Sequence, residues 1–165
     1  ISNLVKWWVE KIRKGWVVRL YPFIGVMHSL LTGEKSMMRC GAGHSCLGIQ
    51  TNGKVVACPI TAGYRPLYMG DVRSSSLADL KKSAILPSRQ CLDCEIFDVC
   101  GGRCLYANKT QLWGEKGYDE VCSTVFHLVG ELEKIKGEIL SLIERGIVAL
   151  EDFEYNKYNG SEIIP

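Results

Sequence analysis

The sequence lacks any long hydrophobic run: its longest apolar stretches, such as residues 24–31, fall far short of the roughly 20 residues a helix needs to cross a bilayer. It also lacks a charge of one sign. Lys and Arg number 20 against 18 Asp and Glu, a net charge of +2. That balance leaves no electrostatic footprint for nucleic acid and no polybasic patch for a membrane surface. There is no internal repeat. The chain does not open with Met, and its first helix-like segment mixes Lys6, Glu10, Lys11 and Arg13 with apolar residues, unlike a signal peptide. The reading is of an excised piece of a soluble, cytoplasmic protein, with neither nucleic acid nor membrane as partner. Its 165 residues suffice for one ordinary domain, or for a small domain with parts of a neighbour attached.

Cysteine is what the sequence has in excess, with eight residues. Cytosolic thiols are kept reduced, so without an export signal these cysteines point to metal rather than to disulfides.

Along the chain, Leu4, Val5, Trp8 and Ile12 recur at helical spacing, with Ser2 or Asn3 available as an N-cap and Gly15 as a stop. Residues 16–21, rich in β-branched and aromatic side chains and closed by Pro22, are expected to form a buried strand, followed by a helix over 23–31. This order suits one rim of an α/β barrel, or a small α/β lead-in packed on the cysteine-rich region. A polar hinge over 33–39 marks a boundary, after which glycine, cysteine and turn residues dominate. Residues 47–51 and 54–58 read as two strands joined by Asn52-Gly53, a strong hairpin signal. Ser74 to Ser76 can cap a short helix running to about Lys82, and Pro87 precedes a cysteine-dense loop. From Val125 to Ile143 a helical period persists for about six turns, with Gly146 at its end. Gly130 and Gly137 within it either admit a neighbouring backbone or have no role. The tail over 151–165 has no clear period and is assigned no fold.

The cysteines fall into an upstream three (Cys40, Cys46, Cys58), a dense four (Cys91, Cys94, Cys100, Cys104) and a final Cys122. Eight thiolates complete two four-ligand sites. A cubane iron–sulfur cluster takes one soft, anionic ligand per iron, which Cys supplies. Gly41, Gly43, Gly101 and Gly102 permit positive φ, which lets backbone N–H groups face sulfur, or they simply form turns. Cys58 closes the expected hairpin, so a β ribbon would present it. Zinc bound by four cysteines also favours a hairpin with C-x2-C, and spacing alone leaves zinc open beside the preferred iron–sulfur reading.

The order of these residues resembles the SPASM domain at the C-terminus of radical S-adenosylmethionine enzymes that modify peptides and proteins. That family's pattern is a Cys, then Gly-x4-Cys, then C-x2-C-x5-C-x3-C, and a last Cys. Here those elements are Cys40, Gly53-x4-Cys58, Cys91-x2-Cys94-x5-Cys100-x3-Cys104 and Cys122, with Cys46 as the further ligand some members carry. The resemblance implies two interleaved 4Fe-4S clusters. Cys40, Cys46, Cys58 and Cys104 would hold the first, and Cys91, Cys94, Cys100 and Cys122 the second, with zinc possible after aerobic purification. It implies an α+β fold: a small Cys-rich domain over 40–122 with a β-hairpin and short helices. The closing edge of a partial α/β barrel would precede it over 1–39, and a long helix and tail would come after it over 123–165.

The implied activity is radical modification of a peptide or protein side chain by an oxygen-sensitive oxidoreductase, with the auxiliary clusters transferring electrons or positioning substrate. The implied partners are that substrate and an N-terminal barrel holding S-adenosylmethionine and a third 4Fe-4S cluster. The family holds its catalytic cluster with C-x3-C-x2-C. Cys100-x3-Cys104 comes nearest, but Ala107 stands where the third cysteine would be needed. These 165 residues alone are therefore expected to be inactive, with no catalytic residue among them. Two readings from other classes are a zinc-stabilised binding module without redox function and a ferredoxin-like electron carrier.

His28 and His127 read as packing or surface residues on helices. His44, between Cys40 and Cys46, is placed to donate to a cluster sulfur without being a ligand. Tyr64, Arg65 and Tyr68, in the loop after the hairpin, are candidates for substrate contact.

Overall fold

A computed structural model of the chain describes residues 1–159. The first helix, α1 (Ser2–Ile12), buries Val5, Trp8, Val9 and Ile12 along one stripe, and Gly15 at φ +77° comes after it. Neither Ser2 nor Asn3 caps it. Ile1 takes that position, and Ser2 Oγ hydrogen-bonds His127 Nε2 at 3.0 Å on the last helix instead. The second helix, α2 (Phe23–Thr32), ends at Gly33, whose φ of +72° suits a left-handed cap.

Between them, residues 16–21 do not form the expected strand. A strand needs a neighbour to pair its backbone groups, and among the described residues none runs alongside. Local partners serve instead: Trp8 Nε1 and the Leu20 N–H both donate to the Val18 carbonyl, at 2.7 and 2.9 Å, and the Arg19 guanidinium donates to the Glu154 carbonyl at 2.6 Å. Trp16 is left 62% exposed.

The hairpin forms, with shorter strands than expected. β1 (Gly48–Ile49) pairs antiparallel with β2 (Lys54–Val56), Gly48 opposite Val56 and Ile49 opposite Val55. The Gln50 N–H donates to the Lys54 carbonyl at 2.9 Å, enclosing a three-residue loop in which Gly53 takes φ +87°. A third strand, β3 (Tyr68–Asp71), adds antiparallel to β2 and completes the sheet in the order β1-β2-β3. Tyr68 thus lies in a strand, not in the loop expected for it.

Ser76 caps α3 (Leu77–Lys82) as its sequence suggests: its Oγ accepts from the Asp79 N–H, and the Asp79 carboxylate accepts from the Ser76 N–H at 2.9 Å. Three short helices occupy the cysteine-dense region: α4 (Arg89–Leu92), α5 (Phe97–Cys100) and α6 (Leu105–Thr110).

The last helix, α7 (Gly114–Glu144), spans 31 residues and begins more than two turns before the periodic run that signals it. Tyr118, Cys122 and Val125 explain the extension, because i, i+4 and i+7 share one helix face. Gly130 and Gly137 admit no neighbouring backbone: a Cβ on either would meet nothing within 4 Å.

Two cores organise the molecule. One joins α1 and α2 to α7 and to the 3-10 turn Leu150–Phe153. At its centre the fully buried Trp8 meets Phe23 and Phe153 edge to face, at ring centroid distances of 5.6 and 6.2 Å. The other, under the sheet, gathers Met38, Ala42, Val55, Leu67, Met69 and Leu105. Arg39 ties α2 to α5: its buried guanidinium donates to the carbonyls of Val99 (2.6 Å) and Gly25 (3.1 Å) and to Ser29 Oγ (3.1 Å). The architecture is α+β, with a small three-stranded antiparallel sheet, short helices and a long C-terminal helix. Among the described residues no helix is long and apolar enough to cross a membrane. The tail, left without a fold in the sequence, contributes Phe153 to the core, while residues 160–165 lie outside the described residues.

Candidate metal centres

All eight cysteines are free thiols. Four of them, Cys40, Cys46, Cys58 and Cys104, line one cavity of about 360 Å³. Cys58 lies just after β2, Cys104 sits at the N-cap of α6, and Cys40 and Cys46 bracket a tight loop. That loop depends on Gly41. Its φ is +78°, and a Cβ there would fall 2.9 Å from Cys46 Sγ. The turn aims the Ala42 N–H at the Cys40 thiol. Burial nevertheless pushes that thiol's pKa up, and the neighbouring Cys104 and Cys58 add to the rise. Ala42, Ala57, Pro59, Ile60 and Leu105 give the rest of the wall an apolar character, and Tyr158 closes it from the tail. The Cys46 thiol reaches the Tyr158 carbonyl at 3.8 Å.

The other four, Cys91, Cys94, Cys100 and Cys122, line a second cavity of about 30 Å³ together with Arg103, Phe97 and Val125. They come from α4, the α4–α5 loop, the end of α5 and the inner face of α7. Gly101, Gly102 and Arg103 take successive φ values of +72°, +91° and +61°, and this run turns the N–H groups of Gly102 and Arg103 onto the Cys100 thiol. Burial raises the pKa of Cys100 and of Cys122, while the Arg103 charge opposes the rise at both.

Cys91 is held by side chains. Asn108 Nδ2 donates to its sulfur at 3.1 Å, and the Tyr118 hydroxyl hydrogen-bonds it at 2.8 Å. Asn108 also donates to the Tyr118 oxygen at 3.0 Å and accepts from the Ser88 N–H at 2.8 Å. The Arg103 guanidinium stacks over the Tyr118 ring at 4.4 Å.

Among the described residues no three His, Cys, Asp or Glu side chains are grouped closely enough to grip one metal ion. The thiols instead line two separate cavities, four to each. The donor set fits a four-iron cluster, which takes one thiolate per iron, and the first cavity also has room for one. The second brings the same donors around a smaller space.

The other residues singled out in the sequence lie apart from the cysteine cavities. His44 hydrogen-bonds Ser45 Oγ at 2.9 Å, His28 hydrogen-bonds Glu34 at 3.1 Å, and His127 is exposed at the α1–α7 contact. Tyr64 meets Tyr106 edge to face, and the Tyr68 hydroxyl donates to the Ala62 carbonyl at 2.6 Å. Sequence reasoning missed Arg103, Asn108, Tyr118 and Tyr158. Arg103 had a visible signal, a charged residue among the three that separate Cys100 from Cys104, whereas the other three are brought to sulfur only by the fold.

No protein-family model matches the chain. No curated protein matches it. A solved structure described as hexahistidine-tagged anSMEcpe with bound AdoMet aligns with 88% of this chain at 18% sequence identity and a TM-score of 0.47. The chain spans 42% of that structure's length.

Proposed function

We propose that the chain is an auxiliary iron–sulfur module of a cytoplasmic radical S-adenosylmethionine enzyme acting on a peptide or protein side chain. In this reading Cys40, Cys46, Cys58 and Cys104 bind one 4Fe-4S cluster and Cys91, Cys94, Cys100 and Cys122 bind another. The observation that carries it is that the eight thiols border two separate cavities, four to each, in the division implied by the resemblance to SPASM domains. Cys104 leaves its neighbour Cys100 for the hairpin site, so the two halves of the module are tied through one short loop.

When bound, such clusters supply one-electron transfer. The chain's own residues do the rest. The thiolates bind iron; the Gly102 and Arg103 N–H groups stabilise negative charge on Cys100; and the apolar wall around Cys40 limits water in the first cavity. S-adenosylmethionine and its cluster belong to residues outside this sequence, which contains no C-x3-C-x2-C run.

Anaerobic reconstitution with iron and sulfide, and then metal and sulfide analysis, tests the proposal. About eight irons and eight sulfides per chain are expected for two four-iron clusters. Two zinc ions without sulfide would overturn it in favour of a binding module. Electron transfer to a redox partner by these residues alone, in the absence of any barrel, would favour a ferredoxin-like carrier.

A further inference from the structure

The two cavities differ in the charge placed beside them. Arg103 is 4% exposed and lines the second cavity with all four of its thiols. A guanidinium stays protonated in a protein, so its charge is fixed in that wall, and burying it is costly unless negative charge lies close by. Its stack on Tyr118 places it beside a second polar group, which with Asn108 hydrogen-bonds Cys91.

The first cavity has a different wall. The side chains that border it besides its thiols are apolar, apart from the aromatic Tyr158. Arg39 is next to Cys40 in sequence, but its guanidinium is directed at the carbonyls of Val99 and Gly25, and it does not line that cavity.

An iron–sulfur cluster with four thiolates becomes one charge more negative when it takes an electron. A fixed positive charge and donors aimed at its ligand sulfurs stabilise the reduced form more than the oxidised one, and so raise the potential. We propose that Arg103, seconded by Tyr118 and Asn108, makes the second quartet's cluster the easier of the two to reduce, which directs one-electron transfer from the first site to the second. With both quartets loaded, one electron would leave the first cluster and the same electron would reduce the second, and no bond or proton would need to move. Arg103 is here a positioning residue for charge, and the inference rests on the two-cluster reading above.

The test is a potentiometric titration monitored by EPR on the anaerobically reconstituted chain, with iron and sulfide measured on every sample. Wild-type protein should show two reduction steps. Cys94→Ala, which removes a ligand of the second quartet, should abolish the step at higher potential and so assign it. Arg103→Gln should move only that step to lower potential, Tyr118→Phe should move it less in the same direction, and Arg103→Lys should restore most of the difference.

Coincident steps in the wild type would overturn the inference, as would an Arg103→Gln shift confined to the other step or no shift at full iron and sulfide content. If Arg103→Gln does not assemble, Tyr118→Phe decides alone, and an unchanged higher step there overturns the inference. A wild type without sulfide would instead defeat the two-cluster reading itself.

Discussion

The Tyr118 hydroxyl lies 2.8 Å from the Cys91 sulfur, joining the second turn of α7 to a thiol 27 residues earlier in the chain. This contact shows why α7 begins well before the apolar run that signals it. Its first turns carry Tyr118 to the Cys91 sulfur and Cys122 to the second cavity, and only its later turns pack on α1 and α2. One helix therefore serves both to bring a thiol to the cavity and to build the core.

Because the two quartets use separate thiols, removing one ligand should leave the other site intact. Cys94→Ala is expected to lower iron from about eight to about four per chain after anaerobic reconstitution. Iron analysis and EPR check this, and the signal that survives should match the one lost in Cys58→Ala.

Glycines at different places should respond in opposite ways to a single methyl group. Gly130→Ala and Gly137→Ala fill open space on an exposed helix face and should each stabilise the protein by about 0.5–1 kcal/mol in chemical denaturation. Gly41→Ala forces a Cβ against Cys46 Sγ at a positive φ and should selectively reduce occupancy of the first site.

The core around Trp8 should be the most sensitive apolar position. Trp8→Ala removes a fully buried ring packed on Phe23 and Phe153, and also the indole donor to the Val18 carbonyl. A loss of about 3–5 kcal/mol is expected, read from denaturant midpoints. Trp8→Phe should cost less.

The α1–α7 contact should carry a small acid dependence. The hydrogen bond from Arg13, reinforced by its charge, holds the Glu138 carboxyl below its ordinary pKa of 4.5. A carboxylate depressed in the folded state stabilises fully above that ordinary value, and the contribution is lost as pH falls through the depressed one. Both side chains are largely exposed, so the effect is small. Glu138→Gln should melt lower than wild type at neutral pH, and the difference should shrink as pH falls below 4.5.

Local chemistry made some of this structure legible. Asn52-Gly53 marks the hairpin because few residues accept the left-handed conformation Gly53 adopts, and Ser76 marks α3 because its hydroxyl answers a helix N–H. Residues 16–21 carry a strand's composition, but without a partner strand that composition is not enough. β3 was hidden for the converse reason: residues 68–71 include Gly70 and have little strand character of their own, and they form a strand by pairing with β2. The cysteines announced themselves by order and spacing. Asn108, Tyr118 and Tyr158 reach sulfur through tertiary packing, which leaves no local pattern.

The proposed function requires that each of two spatially separate four-thiol sites hold a polynuclear iron core. Anomalous scattering at the iron edge, measured on crystals of the anaerobically reconstituted chain, addresses this directly. Two compact iron peaks should appear, one among Cys40, Cys46, Cys58 and Cys104 and the other among Cys91, Cys94, Cys100 and Cys122. A single peak, a signal at the zinc edge alone, or sulfurs bonded to one another in pairs would contradict it.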